Sequence, residues 1–202
     1  MADFRREKIW DPVTRLWHWT LAIVVTTGWC LGEFMTFSTI EWHFYCGYAV
    51  LGLLAFRLLW GLVGPRPVRL TALVPSPRSV FAYLGTLARR EPSGAHGHNP
   101  LGALAVLAML CVLIAQACAG LFVESDNFFE SGPLAGEVPE TFRDRMSWWH
   151  ALLSKVILGL VVLHLAAIAF YRVWKRENLV LPMITGWKWV KDASSAEKWG
   201  HS

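Results

Sequence analysis

Residues 150–174 read HALLSKVILGLVVLHLAAIAFYRVW. Lys155 is the single charge before Arg172 and there is no proline, so the stretch suits a helix crossing a hydrocarbon core, which takes about 20 residues. A helix also satisfies every backbone group internally, as the bilayer requires. His150 and His164 are 14 residues apart, which on a helix puts them about 21 Å apart along the axis and about 40° apart around it. One helix face therefore presents imidazoles at two depths. An ionisable side chain in a bilayer is costly enough to need a reason.

Three further stretches have the same character, so the predicted spans are residues 16–35, 42–63, 100–123 and 148–174. The chain is 54% hydrophobic and 17% charged, against about a quarter charged in soluble domains. The expectation is an all-α, four-helix transmembrane bundle forming a single membrane-embedded domain over residues 1–202. The first span is read as retained rather than as a signal peptide. It holds Trp17, His18, Trp19 and Trp29 and lacks a small-x-small cleavage site.

The net charge of +4 has a direction. Fifteen of the 19 basic residues precede the first span, lie between the second and third, or lie at the inner end of the fourth or beyond it, whereas the opposite loops hold only Arg143 and Arg145. Both termini are therefore expected in the cytoplasm. The outer segments carry Glu33, Glu41, Glu124, Asp126, Glu130, Glu137, Glu140 and Asp144. Because the cations form no single tract and the apolar segments between them are long, nucleic acid is not an expected partner. Membrane lipid is.

Two more histidines extend the pattern. His18 begins the first span at the inner side and His43 begins the second at the outer side, so four imidazoles sort by depth into His43 with His150 and His18 with His164. Singly, each has an ordinary reading as an interfacial side chain or a helix-helix hydrogen bond. As two depth-matched pairs they fit the axial ligands of two b haems, each needing two imidazoles on opposite sides of the ring. Gly28, Gly47, Gly52, Gly120 and Gly159 would make room for the plates, or serve ordinary helix packing. A zinc site fits less well, since distant histidine pairs without a nearby carboxylate or thiolate do not make a tetrahedron. There is no CxxCH for covalent haem attachment.

Arg57 follows His43 by the same 14 residues, which places a cation at inner-haem depth to pair with a propionate; snorkelling to the interface is the other reading. Lys155 would serve an outer propionate. Cys30, Cys46, Cys111 and Cys118 read as packing residues, and His96, His98 and His201 as non-ligating. Asn99-Pro100 reads as an N-cap and first turn. Trp10, Trp17, Trp19, Trp42, Trp60, Trp148, Trp149 and Trp174 form an interfacial belt. Residues 77–90 have the spacing of a short interfacial helix. Met183, Ile184, Trp187 and Trp189 repeat this less clearly and read equally as a loose basic tail.

The stretches WDPVTRLWHWTLAIVVTTGW (10–29), WHFYCGYAVLGLLAFRLLWGLVGP (42–65), GHNPLGALAVLAML (97–110), residues 150–174 and RENLVLPMITG (176–186) together resemble the bacterial di-haem b561-type cytochromes, a family that includes the cytochrome b subunits of nickel-iron hydrogenases. The resemblance implies a multi-pass inner-membrane protein with two haem b groups. His18 and His164 would bind the inner iron and His43 and His150 the outer one. It also implies electron exchange with ubiquinone or menaquinone. The acidic exterior points to a periplasmic redox partner with a basic face, such as a c-type cytochrome. A hydrogenase-like partner and superoxide:quinone oxidoreduction are the family's alternatives, and the outer acids would repel superoxide. A non-redox anchor or transporter is the reading from another class.

Overall fold

The computed structural model describes residues 4–36, 38–124 and 131–191; Asp126, Glu130, Lys198 and His201 lie outside them. Four long helices dominate: α1 (Pro12–Glu33), α2 (Ile40–Val63), α4 (Pro100–Gly120) and α5 (Glu140–Val173). Two short ones, α3 (Pro77–Leu84) and α6 (Val180–Thr185), lie between α2 and α4 and after α5. Among the described residues, α2, α4 and α5 are long and apolar enough to cross a membrane, and α1, with 22 residues, is not among them. Only 6% of the apolar window of α5 is buried inside the protein. Its Val162, Leu163 and Leu165 are more than half exposed, so lipid is the medium that covers them. This is a membrane protein.

The helix ends differ from the predicted spans for local reasons. Asp11 starts α1 early by accepting from Thr14 N at 3.0 Å and from the Thr14 hydroxyl at 2.6 Å, a side-chain N-cap. After Pro139, α5 starts at Glu140. Its first two turns are polar, so a reading by apolar content finds the span but not the helix. The predicted helix over 77–90 stops at Leu84: Thr86, Leu87 and Arg89 bond back three residues, and the Thr86 hydroxyl takes the Tyr83 carbonyl, so the segment tightens into turns. Asn99 caps α4 as expected, accepting from Gly102 N at 2.9 Å.

The chain folds as two compact units, and the long helices contribute to both. The first comprises Met1–Leu16, Trp60–Leu107 and His164–Ser202. It corrects the all-α expectation: strand β1 (Phe4–Lys8) pairs antiparallel with β2 (Trp187–Lys191), Arg6 opposite Trp189. The tail is thus helical at Met183 and Ile184, within α6, and a strand rather than helix or loose chain at Trp187 and Trp189. WKWVK alternates, as a strand with two unlike faces must, but Lys188 and Val190 are the buried members and the tryptophans are exposed. A two-stranded ribbon is marginal alone. Here Ile9, Trp10, Val68 and Val190 form a buried cluster beside it, with Trp60 and Met183 packed on the outside.

Polar groups complete this unit. The Lys188 ammonium lies 3.2 Å from Glu177 and donates to the Gly97 carbonyl at 3.0 Å, while Glu177 accepts from Ser93 N and the Ser93 hydroxyl. Buried charges persist when paired and fully bonded. The Tyr83 and Tyr171 hydroxyls meet at 2.7 Å, and Asn99 Nδ2 donates to Tyr171 at 3.0 Å. Burial, and then Tyr171, push the Tyr83 phenol above its usual range. Gly186, in the left-handed region at φ 86°, ends α6, and a Cβ there would meet the Trp10 carbonyl at 2.7 Å.

The second unit comprises Trp17–Leu59 and Ala108–Leu163. Leu21, Val50, Leu54, Leu110, Leu113 and Ile157 are buried in it, and the Trp17 indole N–H ties α1 to α2 through the Leu53 carbonyl at 2.8 Å. The candidate site lies in this unit.

Candidate functional site, a paired-histidine cavity

His43, on the first turns of α2, turns its ring against α1, and its Nδ1 lies 2.9 Å from the Gly28 carbonyl oxygen. A carbonyl only accepts, so Nδ1 carries a proton, and in the neutral ring the lone pair is then on Nε2. His150 on α5 repeats this toward α4, with Nδ1 3.1 Å from the Gln116 carbonyl oxygen. The closeness of ring to helix has a cause in sequence. Four residues beyond each acceptor stands a glycine, and a Cβ on Gly32 would come within 3.0 Å of His43 Cε1, and one on Gly120 within 2.9 Å of His150 Cε1. Acceptor at i and glycine at i+4 share a helix face.

The two imidazoles meet edge-on, their centroids 6.1 Å apart and their planes at 81°. They line a cavity of about 410 Å³ whose walls include Val24, Val25, Trp29, Val50, Leu113 and Ile157, with Gln116, Ser147, Ser154, Lys155 and Glu33 as polar members. Gly47 lines it too, and a Cβ there would meet no atom within 4 Å. Apolar walls with a few convergent polar groups mark a cofactor site.

These residues fit a haem. Two imidazoles bound on opposite sides of one metal ion through bonds of about 2 Å would have centroids roughly 6 Å apart, close to the observed separation. The Nδ1 bonds leave the right nitrogen for iron and fix the ring orientation, which is the usual support for a metal-bound histidine. Among the described residues no three His, Cys, Asp or Glu side chains cluster to hold a metal ion. A bare ion would be short of ligands here, whereas a haem brings its own equatorial nitrogens.

The other predicted residues fall as follows. Lys155 lines the same cavity. Arg57 is 5% exposed, its guanidinium 5.6 Å from the centre of the Trp17 ring. His18 is half-buried with Trp19 edge-on at 5.3 Å, and His164 is half-buried on α5; the two belong to different units. Of the glycines singled out from sequence, Gly28 and Gly47 line the cavity and Gly120 abuts His150, whereas a Cβ at Gly52 or Gly159 meets nothing within 4 Å. Gly32, Gln116, Ser147 and Ser154 were not singled out. Ser147, His150 and Ser154, at i, i+3 and i+7, share one helix face, and that spacing was the available signal for the serines.

Comparison with known proteins agrees with this chemistry. The family model described as prokaryotic cytochrome b561 matches residues 9–186. The chain is similar to a probable Ni/Fe-hydrogenase B-type cytochrome subunit of Azotobacter chroococcum mcd 1, 24% identical with 91% of this chain and 89% of that protein covered. Proteins with the same description in Azotobacter vinelandii and Cupriavidus necator are each 26% identical, covering 91% of this chain and 89% and 87% of their own lengths. With the model spanning both histidines of the cavity and nearly the whole chain, this protein belongs to the prokaryotic cytochrome b561 family of haem b membrane proteins.

Proposed function

We propose that this protein is a di-haem, four-span inner-membrane cytochrome that carries electrons between a redox protein at its periplasmic face and membrane quinone, both termini lying in the cytoplasm. The observation that carries the reading is the His43–His150 pair, edge-on with ring centroids 6.1 Å apart and each Nδ1 held by a main-chain carbonyl. Haem b held by these residues would supply one-electron redox chemistry, suited to relaying electrons. The chain's part is to fix both rings, keep water from the apolar walls and offer Lys155 as a counter-charge for a propionate at the cavity edge. His18 and His164 are assigned to a second, inner haem, with Arg57 as its propionate partner, on the strength of their sequence depths and the family.

The identity of the periplasmic partner has two supported forms. Exposed Glu137, Glu140 and Asp144 suit a redox protein with a basic face, such as a c-type cytochrome. The relatives' descriptions as hydrogenase cytochrome subunits favour a nickel-iron hydrogenase.

A reduced-minus-oxidised spectrum of the purified protein tests the core of the proposal. Two b-type components are expected, with His43→Ala and His150→Ala abolishing the same one and His18→Ala and His164→Ala the other. A single component, or loss of different components in His43→Ala and His150→Ala, would refute it. Reduction by a quinol analogue, and then by a reduced c-type cytochrome or a hydrogen-reduced hydrogenase, separates the partner forms.

A further inference from the structure

Gln116 enters the paired-histidine cavity twice. Its main-chain carbonyl holds His150 Nδ1, the residue is part of the cavity wall, and its side-chain Oε1 is sealed from solvent and without a hydrogen-bond partner among the described residues. The neighbouring polar residue Ser154 shows what satisfaction looks like, its hydroxyl donating to the Ala151 carbonyl at 2.9 Å. A buried acceptor left unmade costs roughly 1–3 kcal/mol, and such groups are few enough in native proteins that each calls for an explanation. Leucine would fill the same space on α4 without that cost, so packing does not account for the amide.

Its electrostatics do. The amide oxygen is the negative end of a dipole, and among apolar walls its field is screened far less than in water. A centre between His43 and His150 gains a positive charge on oxidation. A negative dipole end beside it stabilises the oxidised form, one of the levers by which a protein sets a haem potential. Resting on the reading of this cavity as the seat of the outer haem, we propose that the Gln116 side-chain carbonyl lowers that haem's midpoint potential. The residue positions His150 through its backbone and tunes the centre through its side chain. With the amide reversed, its N–H would face a propionate, and removing it would change the potential with the opposite sign.

Redox titration of the full-length protein, following both b-type components, decides the matter. In Gln116→Leu the outer component, identified as the one that His150→Ala abolishes, should titrate at a higher potential, with the inner component and the haem-to-protein ratio unchanged. Gln116→Met, of similar length and flexibility, should behave the same way and serves if the leucine variant fails to assemble. An unchanged midpoint in a variant that still binds haem overturns the proposal, as does a downward shift, which would assign the amide N–H to the bound group. Wild-type protein without a b-type signal removes the underlying reading and this proposal with it, and is recognisable because it appears before any substitution is made.

Discussion

A Cβ on Gly120 would stand 2.9 Å from Cε1 of His150. The ring lies where any other residue's side chain would begin, one turn beyond the Gln116 carbonyl that receives its Nδ1 proton. Gly32 and the Gly28 carbonyl hold His43 in the same way from α1. Each imidazole is thus oriented by a helix that does not carry the histidine.

Enlarging either glycine should therefore act on the cofactor before it acts on the fold. Gly120→Val is expected to displace the His150 ring, break its bond to Gln116 and take the haem-to-protein ratio toward half the wild-type value. Gly120→Ala, requiring a smaller shift, should bind haem with a perturbed spectrum. Gly136→Ala, where a Cβ meets nothing within 4 Å, should leave the ratio unchanged. Pyridine haemochrome assay of purified protein gives all three values.

The buried pair Glu177 and Lys188, with side chains 8% and 7% exposed, should behave non-additively. Removing one partner strands a charge among groups built to bind it, at a cost of about 3–5 kcal/mol. Glu177→Gln combined with Lys188→Met should be less destabilised than the sum of the singles, because neither charge is then left alone. Thermal unfolding in detergent of the two singles and the double measures the coupling.

What could be read from sequence divides along the same physical line. His43, His150 and Lys155, which the structure gathers at one cavity, were legible because depth in a membrane is linear in sequence: residue count along an apolar helix converts directly into height. The Asn99 cap was legible because capping is local. Gly32 and Gln116 were not, because their importance depends on which neighbouring helix presses a ring against them. The β1–β2 ribbon escaped for a related reason. Its strands lie at opposite ends of the chain, and the alternation in WKWVK gains meaning only beside Phe4–Lys8. The polar start of α5 escaped because apolar content marks a span and says little about where a helix begins.

Asn99 gives a test of the local kind. Asn99→Ala removes the acceptor for Gly102 N and the donor to Tyr171 together. Losing an N-cap costs about 1 kcal/mol, and leaving Tyr171 without its donor adds to it. Asn99→Asp keeps the cap and loses only the donor, so its melting temperature should fall between wild type and Asn99→Ala. An aspartate variant as unstable as the alanine one would mean that the tyrosine contact, rather than the cap, is the stabilising part.

The acidic residues of the proposed periplasmic face yield a prediction about rate rather than stability. Glu140 sits in the first turn of α5, where a carboxylate also favours the helix N-terminus, and Glu124 is occupied by Arg143 at 2.8 Å. Exposed Glu137 and Asp144 are free of these structural duties as far as the described hydrogen bonds and ion pairs go, which makes them the cleaner probes. If a basic redox protein docks there, Glu137→Gln with Asp144→Asn should slow haem reduction by a cationic c-type cytochrome at low ionic strength. The difference from wild type should shrink as salt is raised, because charge steering is screened over about 10 Å at 0.1 M. Stopped-flow absorbance across a salt series measures it, and the intermolecular rate should fall without a change in haem content. Equal rates at low salt would remove charge steering by these two residues and leave the hydrogenase form of the partner as the better supported one.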